Sequence, residues 1–276
     1  MVAGRLRRAA VYARRRWPWW DHACRAGARY DEVLAGRLAA AIAYYGFFAC
    51  FGLALLAYSG LGYLLVYDQE VFAAVDSFLR QNLPWLEPQA IQASRGRTGL
   101  IGALGLVVTG VAWIEAIRSS QRLVHGVPQQ PGHPVRRWLV DLALLLGLVA
   151  LVGASMTVFY ALEILVGALT GGESVTLTVL GWLSAAALNV LLAAALLGGV
   201  ARVRLERHRL VPAVLLVAAG VTVLNTAGQL VIGHVRHNPA YSLVTGAVGL
   251  LLYLYLFNQV LLFGAAWAAT ARRRGG

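Results

Sequence analysis

Long uncharged stretches alternate with short charged ones along the whole chain. Six stretches are apolar enough to be membrane spans, at residues 38–66, 99–117, 139–166, 175–200, 210–233 and 243–269. A helix needs roughly 20 mostly apolar residues, at about 1.5 Å each, to cross about 30 Å of hydrocarbon. The longest connection, residues 67–98, is too short for a separate soluble domain. The pattern therefore predicts an all-α membrane protein whose six transmembrane helices form one bundle and one domain, residues 38–270.

Composition and charge agree with this assignment. Of the 276 residues, 59% are hydrophobic and 13% are charged, and the mean hydropathy is +0.66. The net charge is +12, and all 24 basic residues are arginines. Twenty of them lie in the N-terminal arm, in the connections after the second and fourth spans and in the tail, against four on the opposite side. Since arginines collect in cytoplasmic loops, both termini are expected in the cytoplasm. The charge then reflects topology, and no nucleic-acid partner is expected.

Both ends of the chain are basic. The arm, residues 1–37, combines Arg14, Arg15 and Arg16 with tryptophans at positions 17, 19 and 20, and residues 271–276 form a basic tail. Indole rings and guanidinium groups suit the headgroup layer of a membrane. The arm is therefore predicted to be an interfacial helix, with a disordered arm as the alternative. The three arginines are candidate contacts for anionic headgroups.

The connection after the first span has helical spacing of its own. Its apolar side chains recur at Val71, Phe72, Val75, Phe78 and Leu79. Asp68 is available as a cap before them, and Pro84 follows near the end. This spacing predicts a short amphipathic helix on the outer face of the bundle.

Ionisable residues avoid the middle of every predicted span. Asp141 and Glu163 stand at the two ends of the third span, and Glu115 stands near the end of the second. Glu115 can pair with Arg118 and Ser119, which follow it on the same helix face. Each carboxylate is thus expected to reach an interface. The sequence also has no metal-ligand spacing among its six histidines and no nucleophile motif. No catalytic residue, metal or cofactor is therefore expected, and the protein is predicted not to be an enzyme.

Neutral polar residues do occur at bilayer depth. A polar stripe follows one face of the fifth span, with members at Thr222, Asn225, Thr226 and Gln229. Candidate residues to face it are Asn189 in the fourth span and Asn258 and Gln259 in the sixth. The stripe is either hydrogen-bonding glue between helices or the lining of a substrate path. Small-residue ridges, at positions 99, 102 and 105 and again at 246 and 249, predict close helix packing.

Three stretches resemble the YihY/BrkB family of bacterial inner-membrane proteins, once mislabelled ribonuclease BN. The first span, LAAAIAYYGFFACFGLALL, is similar to the family's signature helix. The stretch TGLIGALGLVVTGVAWIEAIRSSQRLVHGV resembles the second span and its following loop. RLVPAVLLVAAG, continued by NPAYSLVTGAVGLLLYLYLFNQVLLFGA, resembles the last two spans. The resemblance covers about Asp31 to Ala269. Gly52 stands where the family usually has proline, and Ala266 where it usually has glutamate.

The resemblance implies six helices, a cytoplasmic N-terminus and a role in the cell envelope of a bacterium. Two functions follow as hypotheses. One is a transporter or flippase-like exporter of a lipid or envelope precursor, with a basic collar that includes Arg118 and Arg122 meeting anionic inner-leaflet headgroups. The alternative is a non-transporting scaffold or envelope-assembly factor. Expected partners are membrane lipids, and further candidates are a second copy of the chain or an assembly protein.

Overall fold

The computed structural model describes residues 18–67, 73, 76–77, 88–129, 133–170, 175–203, 205–235 and 239–271. Its elements are α1 (Pro18–Glu32), α2 (Ala35–Tyr67), α3 (Pro88–Val124), α4 (Pro134–Thr170), α5 (Val175–Ala194), a π-helical turn (Ala195–Val200), α6 (Arg207–Val235) and α7 (Pro239–Thr270). No strand occurs in these ranges. Six helices, α2 to α7, are long and apolar enough to cross a membrane. The predicted all-α membrane fold is confirmed.

The helices contain the predicted spans and extend beyond most of them. α3 has 37 residues, about 55 Å at helical rise, whereas hydropathy marked only 99–117. Polar residues on either side of a span can remain helical outside the hydrocarbon. Hydropathy therefore locates the part of a helix that crosses the membrane but not the ends of the helix. The fourth span keeps its predicted extent, but its last six residues form a π turn. The predicted outer helix lies outside the described residues, except for Ala73, Asp76 and Ser77.

The described chain forms two compact units. One lies within residues 1–43 and 114–276, and the other within residues 44–113. α2 and α3 each contribute to both units. A single domain over residues 38–270 stays a prediction.

Glycines set the packing distance in the larger unit, where α6 packs against α7 and α5. A Cβ at Gly220 would lie 2.6 Å from Val260 Cγ1, and one at Gly264 would collide with Val217. Each helix of the α6–α7 pair therefore accepts a valine of the other in a glycine notch. The predicted ridge at Gly246 and Gly249 finds no support among the described residues, because a Cβ at either position would meet none of them within 4 Å.

In the smaller unit, α2 and α3 approach backbone to backbone. A Cβ at Gly52 would lie 2.7 Å from Leu106 N, and one at Gly102 would lie 2.9 Å from Leu56 N. The Ser59 hydroxyl donates a 2.7 Å hydrogen bond to the carbonyl of Arg95. The predicted small-residue ridge is confirmed at Gly102. The glycine in place of the family's proline at position 52 also has a role, since it admits the α3 backbone.

α1 lies across the ends of two spanning helices. His22 Nε2 is 2.9 Å from the carbonyl of Trp267 at the end of α7. Arg29 donates to the last carbonyls of α3, with Nε 2.9 Å from Val124 O and Nη2 3.0 Å from Leu123 O. Leu123 O also accepts a hydrogen bond from Gly126 N over 3.0 Å in the turn that follows. The last carbonyls of a helix lack partners within the helix itself, so the Arg29 guanidinium helps to cap α3. Trp19 remains 58% exposed. The prediction of a helix in the arm is confirmed for Pro18–Glu32, and Arg14, Arg15 and Arg16 lie outside the described residues.

Candidate functional site

The first residue of the polar stripe on α6, Thr222, contacts α5. Asn189 donates from Nδ2 to Thr222 Oγ1 over 3.0 Å, and this hydroxyl donates to Ala218 O over 2.9 Å. Thr222 is 12 residues beyond Leu210, which is about 18 Å along the helix, so the pair lies near the middle of the span. The structure thus brings together Asn189 and Thr222 as the sequence predicted.

One turn further along, the stripe meets α7 through a residue that the sequence did not indicate. Tyr253 donates its hydroxyl to Asn225 Oδ1 over 2.6 Å. Asn258 is instead fully buried and donates to Leu254 O of its own helix. Its Oδ1 is buried without a hydrogen-bond partner among the described residues. Gln259 is half-buried. A tyrosine in register with Asn225 is visible in the sequence only once the facing helix is known.

The upper half of the stripe is exposed. Thr226 donates to Thr222 O over 3.0 Å and remains exposed, and Gln229 is exposed as well. The stripe therefore has two parts: Thr222 and Asn225 are bonded to neighbouring helices, whereas Thr226 and Gln229 present polar atoms on the helix surface.

A second polar site lies where α3 ends, α4 begins and the π turn gives way to the loop before α6. Asp141 is 2% exposed and forms an ion pair with Arg118, which is 4% exposed. The same carboxylate receives Arg202 Nη2 at 2.8 Å. We call this site the arginine cluster, which comprises Arg118, Arg122, Arg136, Arg137 and Arg202 with the carboxylates of Glu115 and Asp141.

Two expectations from the sequence are corrected here. Asp141 does not reach an interface, because its side chain is buried between two guanidinium groups. Arg118 and Arg122 are 4% and 5% exposed, so their side chains lie inside the protein and not among headgroups. Hydropathy places an arginine near the end of a span, but the rotation of the helix decides whether its side chain points inward.

One of the two partners predicted for Glu115 is confirmed. Its Oε1 is 3.5 Å from Arg118 Nη2, which confirms that partner. The second partner is Arg137, at 3.4 Å, in place of Ser119. Ser119 donates instead to the carbonyl of Ala116 over 3.2 Å. With its side chain 52% exposed, Glu115 forms an outer ion pair beside the buried one.

The π turn is held by the same face of α3. Gln121, fully buried, donates from Nε2 to Leu196 O over 3.1 Å, and Arg122 Nη1 lies 3.5 Å from Ala201 O. A π turn leaves carbonyls out of the regular helical pattern and often marks a functional position. Arg202 follows with φ 50°, a conformation that is uncommon outside glycine. The polar series at positions 118, 121, 122 and 125, spaced along one helix face, is the signal in the sequence that indicates this site.

Burial and neighbouring arginines shift the pKa values of Arg202 and His125. Burial lowers the pKa of Arg202; Asp141 opposes the change, while Arg118, Arg122 and Arg136 add to it. Burial also lowers the pKa of His125 below 6.5, against the effect of a hydrogen bond from its Nδ1 to Gln121 O. The neighbouring positive charges of the cluster therefore disfavour the charged form of Arg202.

Comparison with known proteins places the chain among bacterial membrane proteins. The profile of the family described as "Virulence factor BrkB" matches residues 26–276. An uncharacterized protein of Dickeya dadantii is 26% identical over 91% of this chain and 83% of its own length. The inner membrane protein YhjD of Escherichia coli is 24% identical over 93% of this chain and 82% of its own length. No solved structure matches.

Proposed function

The chain belongs to the BrkB family and is a multi-pass inner-membrane protein, and from that premise we propose that it moves an anionic lipid or envelope precursor across the membrane. The observation that carries the proposal is the exposed half of the polar stripe, Thr226 and Gln229. Thr226 lies 16 residues beyond Leu210, which is about 24 Å along the span, and Gln229 lies about 28 Å along it, towards its far end. A polar side chain that is still within the hydrocarbon is costly towards lipid and usually faces another helix, water or a substrate. The proposed activity is movement without a covalent step.

The bonded half of the stripe supports the same proposal. The stripe rises over seven residues from Thr222 to Gln229, which is about 10 Å. Its hydrogen bonds to Asn189 and Tyr253 join neutral groups, and interhelical bonds of this kind contribute about 0.6 kcal/mol each. A polar headgroup could therefore replace them at small cost. Asn258 and Gln259 are not needed for this path.

The arginine cluster supplies the preference for negative charge. By the arginine distribution, this end of the helices is the proposed cytoplasmic end, with both termini on the same side. Arg136 is exposed, and 20% of the Arg202 side chain is exposed. The basic arm, with Arg14, Arg15 and Arg16, would extend the attraction to inner-leaflet headgroups. Each basic residue near an anionic leaflet contributes roughly 1 kcal/mol.

A scaffold or envelope-assembly factor is the second candidate. The observation in its favour is that Asn189 pairs with Thr222 and Tyr253 with Asn225. Such pairs hold α5, α6 and α7 together whether or not anything passes between them. In this case the partner would be a second copy of the chain or another envelope protein.

The double variant Asn225→Leu with Gln229→Leu separates the two candidates. If the stripe conducts a substrate, the variant should fold but fail to complement a deletion strain. In vesicles it should also fail to move a fluorescent anionic phospholipid. Thr157→Val is a matched control, because this hydroxyl is likewise exposed in a spanning helix and bonds to the carbonyl four residues back. Full complementation by the double variant would contradict transport along the stripe and favour the scaffold.

A further inference from the structure

Helices α6 and α7 are antiparallel and make close contact over the lower half of the pair, on the side of Leu210. A Cβ at Gly220 would lie 2.6 Å from Val260 Cγ1, and one at Gly264 would collide with Val217, which is itself buried. We call the faces that meet in this way the α6–α7 seam. In its lower half the two backbones are too close for a ligand to lie between them.

This close contact ends higher up the same seam, as far as the structure describes it. Gly228 lies 11 residues above Val217 on α6, and Gly249 lies 11 residues above Val260 on α7. Eleven residues are about three helical turns, so both glycines lie on the faces that pack together lower down. A Cβ at either glycine would nevertheless meet none of the described residues within 4 Å. The seam is therefore closed in its lower half and looser in its upper half.

The hydrogen bond between Tyr253 and Asn225 lies where the close contact ends. Its atoms, the Tyr253 hydroxyl and Asn225 Oδ1, are 2.6 Å apart. Along the chain, Asn225 is three residues below Gly228 on α6, and Tyr253 is four residues below Gly249 on α7. The exposed part of the polar stripe lies above this bond, and Thr222, which is bonded to α5, lies below it. One hydrogen bond thus separates the two parts of the stripe.

The contacts of the two residues allow Tyr253 to leave this position. Both side chains are half-buried, and the tyrosine ring stacks on Phe257 of its own helix, with 6.5 Å between the ring centroids. Interhelical hydrogen bonds between neutral side chains contribute little to the stability of membrane proteins, so this bond can break and form again. Asn225 makes no other side-chain hydrogen bond among the described residues. Its Oδ1 and Nδ2 atoms therefore both become available when the tyrosine rotates away.

We propose that Tyr253 is the gate residue of the polar stripe. In the closed state its hydroxyl occupies Asn225 and joins α6 to α7. When the side chain rotates away, the upper half of the seam opens downwards, and a polar headgroup passes along Asn225 between Gln229 and Thr222. The inference rests on the proposed function for the identity of the group that passes, but the opening of the seam can be measured without any transport.

Thiol labelling of the purified full chain in detergent measures how often the seam opens. In a background without native cysteines, Ala218→Cys places a thiol at a buried position two turns below Asn225, on the same face of α6. Tyr253→Phe removes only the hydroxyl. The loss of one interhelical bond should make this thiol react about threefold faster with a small, water-soluble methanethiosulfonate. An unchanged melting temperature shows that each variant is folded.

Tyr255→Phe is the matched control for the labelling experiment. This hydroxyl belongs to the same helix, but two residues correspond to about 200° of rotation, so it lies on the other side of α7 from Tyr253. Like Tyr253, Tyr255 is half-buried. Its removal should leave the reaction rate of the Ala218→Cys thiol unchanged.

A reversible cross-link tests whether the seam has to open for lipid to move. A Cβ at Gly220 would lie 3.7 Å from Val260 Cβ, which is within the range of a disulfide. In the double variant Gly220→Cys with Val260→Cys, oxidation should hold the seam closed below the gate. It should stop the movement of a fluorescent anionic phospholipid in vesicles, and a reducing agent should restore that movement. Each single cysteine variant is a control that oxidation should not affect.

Two results would overturn the proposal. The first is a labelling rate at Ala218→Cys that Tyr253→Phe leaves unchanged, or that Tyr255→Phe raises equally. The second is lipid movement that continues in the oxidised double variant. If the parent protein moves no lipid, the proposed function fails, whereas a labelling rate that only Tyr253→Phe raises still supports the gate.

Discussion

Replacing Asp141 by asparagine should destabilise the larger unit strongly, although the side chain keeps its shape. The carboxylate is 2% exposed and balances Arg118, which is 4% exposed, and Arg202, which is 20% exposed. Removing one member of a buried ion pair leaves an uncompensated charge and costs about 3–5 kcal/mol. Arg118 would keep Glu115 as a partner, but an exposed pair contributes only about 0–1 kcal/mol.

The measurement is the melting temperature of the purified protein in detergent, followed by tryptophan fluorescence. For a chain of this size, about 2–4 °C accompanies each kcal/mol, so Asp141→Asn should melt on the order of 10 °C lower. Glu115→Gln is the matched control, since it removes a carboxylate from the same arginine at the exposed side. It should cost about 0.3–0.5 kcal/mol, and the effect should shrink at 1 M salt, where the Debye length is about 3 Å.

A further substitution tests the cause. Adding Arg118→Met to Asp141→Asn removes the charge that was left buried, so part of the lost stability should return. Equal melting temperatures for Asp141→Asn and Glu115→Gln would refute the reasoning, because burial would then make no difference to the value of a carboxylate at this site.

Three other predictions concern pH, packing and topology. Burial and neighbouring arginines lower the pKa of His125. The neutral side chain therefore contributes its full stability above pH 6.5, and this contribution is lost as the pH falls below that value. The melting temperature should decrease over this pH range, and His125→Gln should make the decrease smaller. Gly52→Ala places a methyl group against the α3 backbone and should cost about 1–3 kcal/mol. Gly60→Ala, where a Cβ would meet none of the described residues within 4 Å, should melt like the parent, and equal losses would contradict the packing argument. In a background without native cysteines, a cysteine at Val127 should react with an impermeant label only after cells are permeabilised, whereas one at Gly172 should react in intact cells. The opposite pattern would invert the topology.

The sequence by itself determined the class of the protein, the number of its spans and the approximate position of each. These properties depend on how a local stretch partitions between water and hydrocarbon, which needs no knowledge of its neighbours. The helix of the arm and the ion pair between Glu115 and Arg118 were also within reach, because residues three or four positions apart on a helix are always neighbours. Asn189 opposite Thr222 was predicted as one of several candidates.

Only the tertiary structure decided which polar groups meet. Asp141 is 23 residues from Arg118 and 61 from Arg202, and hydropathy alone left all three at an interface. Tyr253, not Asn258, reaches Asn225 because the rotation of α7 turns the tyrosine towards α6. The physical reason is that the free energy of placing an apolar helix in lipid changes little when the helix rotates about its own axis. Hydrogen bonds and ion pairs between helices, in contrast, form at only one rotation. That rotation follows from packing features such as the notches at Gly220 and Gly264, which exist only when two helices face each other.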